Sequence, residues 1–302
     1  TDHTASFSFP KMFPILLLLV LVSFVASDPT PIVIWHGMGD SCCDPHSVGS
    51  LMDSIKKEIP GVYIYSVALG DTTFQDREKS LLANMNDEIA NICNVIANDP
   101  NLANGYNAIG LSQGGQFLRA ITQRCPTPQM KNLLSLGGQQ QGVYGLPHCI
   151  GDNVICDDIR DLLDKGAYID FIQNTIVQAQ YFHDSDDEEL YRTKSIFIAE
   201  INNELTQNDD YKTNLSKLEQ LILVKFSKDS MVVPRDSSWF GFYQENNIDI
   251  IVPYNETKLY TEDRIGLRTL DESGRLQFYT MEGDHLDIDM TIFNQILDKY
   301  FK

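Results

Sequence analysis

Short apolar runs alternate with helix-spaced apolar residues along most of this chain. "PIVIWH" (31–36) has the character of a buried strand and ends at "GMGD", a glycine-rich turn. Residues 47–58 have helical spacing, "VYIYSVAL" (62–69) reads as a second strand, and "REKSLLANMNDEIANICNVIA" (77–97) reads as a helix. "YNAIG" (106–110) is another short strand, "GQFLRAITQRC" (115–125) opens a helix, and "NLLSLGGQ" (132–139) is again strand-like. The rhythm stops after Gln139 and returns with "LILVKFS" (221–227), "IDIIV" (248–252), "RLQFYTM" (275–281) and a helix near 287–301. Strands alternating with helices imply a mostly parallel sheet covered on both faces. The expected architecture is one α/β domain over 28–302, with 140–218 inserted as a mainly helical cap. The run "DSDDEE" (184–189) in that insertion lacks the glycine and spacing of a calcium loop and reads as solvated surface.

The N-terminal end departs from this pattern. Lys11 and Met12 precede "FPILLLLVLVSFVAS", and Val25 and Ser27 are small residues where a signal peptidase cuts. Residues 12–27 read as a secretory signal peptide, with Met12 as the expected start and 1–11 upstream sequence; a signal anchor is the alternative. Residues 1–27 are therefore set apart from the fold. No other run approaches membrane length, so no stable membrane span is expected. The formal net charge of −19 over 302 residues argues against nucleic acid and anionic membranes as electrostatic partners. Cys42, Cys43, Cys93, Cys125, Cys149 and Cys156 all follow the signal. An even count in a secreted chain favours disulfides, although six cysteines allow about 15 pairings. No C-x-x-C occurs, so a metal site is not expected. The sequons at Asn214 and Asn255 fit a secretory route.

The chemistry begins at "GLSQG" (110–114). A serine at a sharp strand-to-helix turn, with glycines two residues to either side, is the G-x-S-x-G nucleophile elbow. The helix that follows directs free N–H groups and its positive dipole end at Ser112. A serine hydroxyl needs a base, and the base usually needs an orienting acid. Three histidines follow Ser112: His148 and His183 in the insertion, and His285 in "EGDHLD", between the last strand and last helix. His285 is the expected base. Asp229 lies just beyond a buried strand, where active-site groups of open α/β sheets gather, and is the expected acid. Asp284 is its main competitor, with Asp236 and Asp249 behind it. The oxyanion donors are expected to be the backbone N–H groups of Gln113 and of Met38 in "HGMGD".

Those residues carry a resemblance. "WHGMGD", "GLSQGGQFLRA", "GGQQQGVYGLPHC", "DSSWFGFY" and "EGDHL", in this order, resemble the palmitoyl-protein thioesterases of lysosomes, from about residue 31 to the C-terminus. The resemblance implies an α/β-hydrolase fold and removal of long-chain fatty acyl groups from S-acylated cysteine in proteins or peptides, in the lysosome after secretory transport or outside the cell. It implies no cofactor. It maps the nucleophile to Ser112, the acid to Asp229, the base to His285 and the oxyanion donors to Met38 and Gln113. The insertion would hold the acyl chain in an apolar groove. Departures are Gln140 where the family has histidine, Phe182 for tryptophan, and Lys228 where a glycosylated asparagine is expected. Three disulfides are then expected: Cys93–Cys125, Cys149–Cys156 and Cys42–Cys43. The last rests on the resemblance alone, because adjacent Cα atoms about 3.8 Å apart lie below the usual disulfide range. A lipase or oxygen-ester esterase, and a catalytically silent binding protein, are the competing readings.

Overall fold

A computed structural model of the chain describes residues 1–3, 28–145 and 166–302. The expected signal peptide and the Cys149–Cys156 pair lie outside these residues. Six strands form one parallel sheet: β1 (Ile32–Trp35), β2 (Ile64–Ser66), β3 (Tyr106–Leu111), β4 (Met130–Leu136), β5 (Gln220–Phe226) and, last in the sequence, β8 (Leu276–Met281). Their order is β2-β1-β3-β4-β5-β8. Strand alternation divides the side chains between two layers. Ile32, Ile34, Leu134, Ile222 and Val224 join one core with α1 (Val48–Glu58) and the last helix, α12 (Met290–Tyr300). Val33, Trp35, Leu133, Leu221 and Leu223 join the other core with α3 (Met85–Asn98) and α4 (Gln113–Arg124). Truncating one such residue, Leu134→Ala for example, removes contacts worth about 2–5 kcal/mol.

The expected strands at 31–36, 62–69, 106–110, 132–139, 221–227 and 275–281 all pair in this sheet, with β2 trimmed to three residues. Two expectations need correction. The helix foreseen over 77–97 is two helices, α2 (Thr73–Lys79) and α3, separated at Ser80–Asn84. Ser80 is fully buried, and its carbonyl accepts from Gln113 Nε2 at 3.0 Å and Gln178 Nε2 at 3.3 Å. Those tertiary bonds compete with the local helical ladder. The "IDIIV" strand is β7 (Asn247–Val252), which pairs antiparallel with β6 (Phe242–Gln244) outside the main sheet. Ile248 and Ile250 are accordingly half exposed.

Between β4 and β5 the chain makes short helices: α5 (Asp170–Thr175), α6 (Val177–Gln180), α7 (Glu188–Lys194), α8 (Ile198–Ile201) and α9 (Asp209–Leu215). Two more, α10 (Lys258–Thr261) and α11 (Leu267–Glu272), lie between β7 and β8. Disulfides join Cys93 on α3 to Cys125 at the end of α4, and Cys42 to its neighbour Cys43. Among the described residues no helix is long and apolar enough to cross a membrane, and no group of three or more His, Cys, Asp or Glu is placed to hold a metal ion. Asn255 is exposed. Asn214 is not: it is buried on α9, donates through Nδ2 to Gln123 O at 2.9 Å, and accepts from Lys217 Nζ at 3.0 Å. Its side chain thus packs α9 against the end of α4.

Candidate active site

Ser112 stands between β3 and α4 with φ 52° and ψ −126°, a left-handed backbone that L-residues rarely adopt. The turn survives because its glycines allow near contact. A Cβ on Gly114 would lie 2.2 Å from Trp35 O, and one on Gly110 would lie 2.4 Å from Gly115 Cα. The spacing read from the sequence is thus a steric requirement of packing α4 directly against β1 and β3. Ser112 is tied to β4 by its N–H, which donates to Leu136 O at 2.8 Å.

The three side chains expected to act together meet. His285 Nε2 is 2.9 Å from Ser112 Oγ, and His285 Nδ1 is 2.8 Å from Asp229 Oδ2. The network assigns the proton on Nδ1 to Asp229 and leaves Nε2 to accept from the serine hydroxyl. Asp229 is buried, and its second oxygen accepts from Met231 N and Val232 N, both at 2.9 Å. Its carboxylate therefore closes the turn after β5 and aims the imidazole together. Asp284, the competitor, turns the other way. It accepts from the backbone N–H of His285 at 2.7 Å and of Ser230 at 2.8 Å, and from Ser230 Oγ at 2.9 Å. Those bonds, the His285 N–H first, hold its carboxyl below the usual range. It clips the histidine loop to the aspartate loop. His183 lies away from the triad, stacked between Tyr191 and Phe242, and bonds Gln141 O and Glu188. Asp236 pairs with Lys225, and Asp249 lies on β7.

Gly37 brings the loop after β1 against Ser112, a Cβ there lying 3.2 Å from Ser112 Cβ. Met38 N follows on this loop, and Gln113 N begins α4. Neither amide has an acceptor among the described residues. The loop is held from behind by residues the sequence reading passed over. Fully buried His36 donates through Nε2 to Asp76 Oδ1 at 3.0 Å, while Asp76 also accepts from Cys42 N at 2.7 Å and Leu69 N at 2.8 Å. Burial alone would raise the Asp76 carboxyl, but the His36 contact and the two backbone N–H bonds outweigh it and hold it below its ordinary value. Ser80 Oγ accepts from Gly39 N at 2.8 Å. No motif flags Asp76 or Ser80, because both lie in a helix start and a helix break whose partners are distant in sequence.

Gly137 was also missed. Its φ of 61° and the approach of His285 Cε1 to 3.1 Å of its would-be Cβ make room for the imidazole. Behind the site, fully buried Arg119 donates to Gln140 Oε1 (2.8 Å) and O (3.1 Å), Ile201 O (3.1 Å) and Asn202 Oδ1 (2.8 Å). Burial pushes this guanidinium down to about 9. Gln140, the position that departs from the resemblance, is therefore the acceptor that anchors a buried cation.

The assembled geometry suits acyl transfer: a serine, an oriented histidine and two free amides above one helix N-terminus. Comparison with known proteins agrees. Relatives include palmitoyl-protein thioesterase 1 of Caenorhabditis elegans, 53% identical over 96% of this chain and 99% of that one. Palmitoyl-protein thioesterase 3 of Dictyostelium discoideum is 36% identical over 90% and 91%. A protein of Drosophila melanogaster named as a lysosomal thioesterase PPT2 homolog is 30% identical over 82% of each chain. The profile of the palmitoyl protein thioesterase family matches residues 31–285, a span that begins at the first strand and ends on His285. The chain belongs to the palmitoyl protein thioesterase family.

Proposed function

We propose that this protein hydrolyses long-chain acyl thioesters of cysteine in proteins or peptides through an acyl-serine intermediate. The observation that carries the reading is the Ser112–His285–Asp229 relay, with contacts of 2.9 and 2.8 Å, in a chain of this family. Ser112 Oγ attacks the thioester carbon while His285 Nε2 takes its proton. The Met38 and Gln113 amides receive the oxyanion, and the thiolate leaves. Its conjugate acid has a pKa near ~8.5, so departure needs little protonation. Water then attacks the acyl-serine with His285 again as base, releasing the fatty acid.

Residues 140–218 act as the cap over this centre and hold the acyl chain. Ile176, Ile172 and Ala179 pack in a small apolar cluster that Met38 and Phe182 also join. Phe182 also lines a cavity of about 650 Å³, together with Tyr144, Tyr168, Ile169 and Leu190 and with Asp184 and Asp186. The apolar side of this cavity, adjoining the cluster that reaches Met38, fits a fatty chain, whose burial contributes about 0.8 kcal/mol per CH₂. The family's lysosomal members and the secretory features of the sequence support delivery to the lysosome, with a glycan at Asn255.

Palmitoyl-thioester hydrolysis by the parent protein and by Ser112→Ala tests the reading. The variant should fold and lose several orders of magnitude in rate. Equal turnover by a folded Ser112→Ala protein would end the serine-hydrolase reading. Faster turnover of lipid oxygen esters than of acyl thioesters would favour the esterase, and failure of a fluorophosphonate to label Ser112 would favour the binding protein.

A further inference from the structure

Three consecutive glutamines, Gln139, Gln140 and Gln141, are all buried, and the first touches Ser112. Two of them are fully used by the fold. Gln140 accepts from Arg119 Nε at 2.8 Å and donates to Ser135 Oγ at 3.0 Å. Gln141 donates to Phe240 O and accepts from Asn202 Nδ2, each at 3.3 Å. Gln139 differs. Its Nε2 donates only to Ser112 Oγ, at 3.3 Å, and its buried Oε1 has no partner among the described residues. Its backbone is held in place, since its carbonyl accepts from Gly142 N at 3.1 Å and the next N–H donates to Ser237 O at 3.1 Å. Among the described residues this buried side-chain amide thus serves no structural partner, and it points at Ser112 Oγ. Catalytic hydrogen bonds are often this long before substrate tightens them.

A donor at Ser112 Oγ does not help attack, because it draws on the lone pair that attacks. It helps when Oγ leaves. In the first half-reaction the leaving group is a thiolate, whose acid has a pKa of ~8.5. In the second half-reaction the leaving group is an alkoxide, whose acid lies nearer the ~15.7 of water. The harder departure is therefore that of Ser112 itself.

We infer that Gln139 is a catalytic residue of deacylation, its Nε2–H bonding Ser112 Oγ as the acyl carbon–Oγ bond breaks. Water adds to the ester carbon and gives its proton to His285 Nε2. The tetrahedral intermediate collapses, the C–Oγ electron pair returns to Oγ, and His285 Nε2–H delivers the proton there. The fatty acid and the free serine are the products. Gln139 transfers no proton; it stabilises the charge on Oγ until the proton arrives. The inference rests on the acyl-serine reading above.

The test uses Gln139→Met, which keeps the length without the donor, and Gln139→Glu, which keeps the shape. Each is measured for kcat and kcat/KM on a palmitoyl thioester, for acyl-enzyme during turnover by intact mass, and for thermal melting. For Gln139→Met, kcat should fall about tenfold or more, given that a lost oxyanion donor costs ~10²–10³. Its kcat/KM should stay within about twofold, because acylation does not use the donor. Acylated Ser112 should accumulate. Gln139→Glu should behave likewise at neutral pH and recover as acid protonates the carboxyl into a donor; it also serves if the Met variant does not fold. A parallel fall of kcat and kcat/KM without acyl-enzyme, or no change in either, would overturn the inference. Absence of thioester turnover by the parent protein would instead overturn the reading of the reaction.

Discussion

The sheet and the segment from α5 to α9 are held together in different ways. In the sheet, regular ladders satisfy the backbone and apolar side chains on β1, β3, β4 and β5 fill both faces. In the inserted segment the helices are four to seven residues long, too short to satisfy their own ends. Buried side-chain amides do that work. Gln173 donates to Ala167 O at 2.8 Å and Ala179 O at 2.6 Å and accepts from Ile196 N at 3.0 Å. Gln180 accepts from Met85 N at 2.9 Å and donates to Ala83 O at 2.6 Å, fastening the segment to the start of α3. Asn203 donates to Asn208 O at 3.0 Å and Arg264 O at 2.8 Å. A core built by apolar area tolerates volume-conserving changes, whereas one built by buried amides fails when a single partner is lost. The sheet can therefore place reacting groups on rigid strand ends, while the segment can vary its lining around fixed amide anchors.

The largest effect that separates the two regions is catalytic. Asp229→Asn, at the end of β5, should lower kcat by about four orders of magnitude with little change in melting, since the wrong imidazole tautomer is then held. Asp284→Asn should lower it by less than about tenfold, because Asp284 touches only backbone and Ser230. Steady-state kinetics with both variants would reverse the assignment of the acid if they ranked in the opposite order.

The next effect is on stability. Gln173→Leu strands three buried backbone partners and should cost about 3 kcal/mol by urea unfolding. Its kcat/KM on a butyryl thioester should stay near the parent value. By contrast Leu134→Met in the sheet should cost under about 1.5 kcal/mol. If the sheet variant proved the more destabilised, the distinction between the two kinds of core would fail.

A smaller effect concerns pH. Burial is the largest influence on Glu204, in the same segment, and raises its carboxyl; Tyr191 OH and Asn202 Nδ2 donate to it. The folded state then binds a proton more tightly than the unfolded chain. Its unfavourable contribution is small below the unfolded pKa of ~4.3 and grows as pH rises through the raised folded value. Glu204→Gln keeps the carbonyl acceptor and removes the charge. Melting of variant and parent should coincide near pH 4 and separate by a few degrees at pH 7, with the variant higher. Equal curves at both pH values would remove Glu204 from the pH response.

The smallest effect is on the surface. Glycosidase digestion of secreted protein should reveal a glycan lost in Asn255→Gln and none lost in Asn214→Gln. A glycan on Asn214 in folded protein would mean that its bond to Gln123 O can be given up.

Local pattern was enough to place four of the sheet's six strands, β1, β3, β5 and β8, within a residue of their ends, because a buried parallel strand is a short apolar run and the helices between strands announce themselves by spacing. The elbow was legible for the same reason: Gly110 and Gly114 are dictated by contacts within one strand–helix unit. His285 and Asp229 were legible because catalytic groups gather at strand ends. Only the tertiary structure decided that 77–97 breaks at Ser80, that "IDIIV" leaves the sheet, and that Asp76 braces the oxyanion loop. It alone separated Gln139 from the two glutamines after it, and Asn214 from Asn255. Apart from β7, which pairs with the adjacent β6, the deciding partner in each case lies tens of residues away in sequence, and a polar side chain looks the same in sequence whether it faces water, a backbone carbonyl or Ser112.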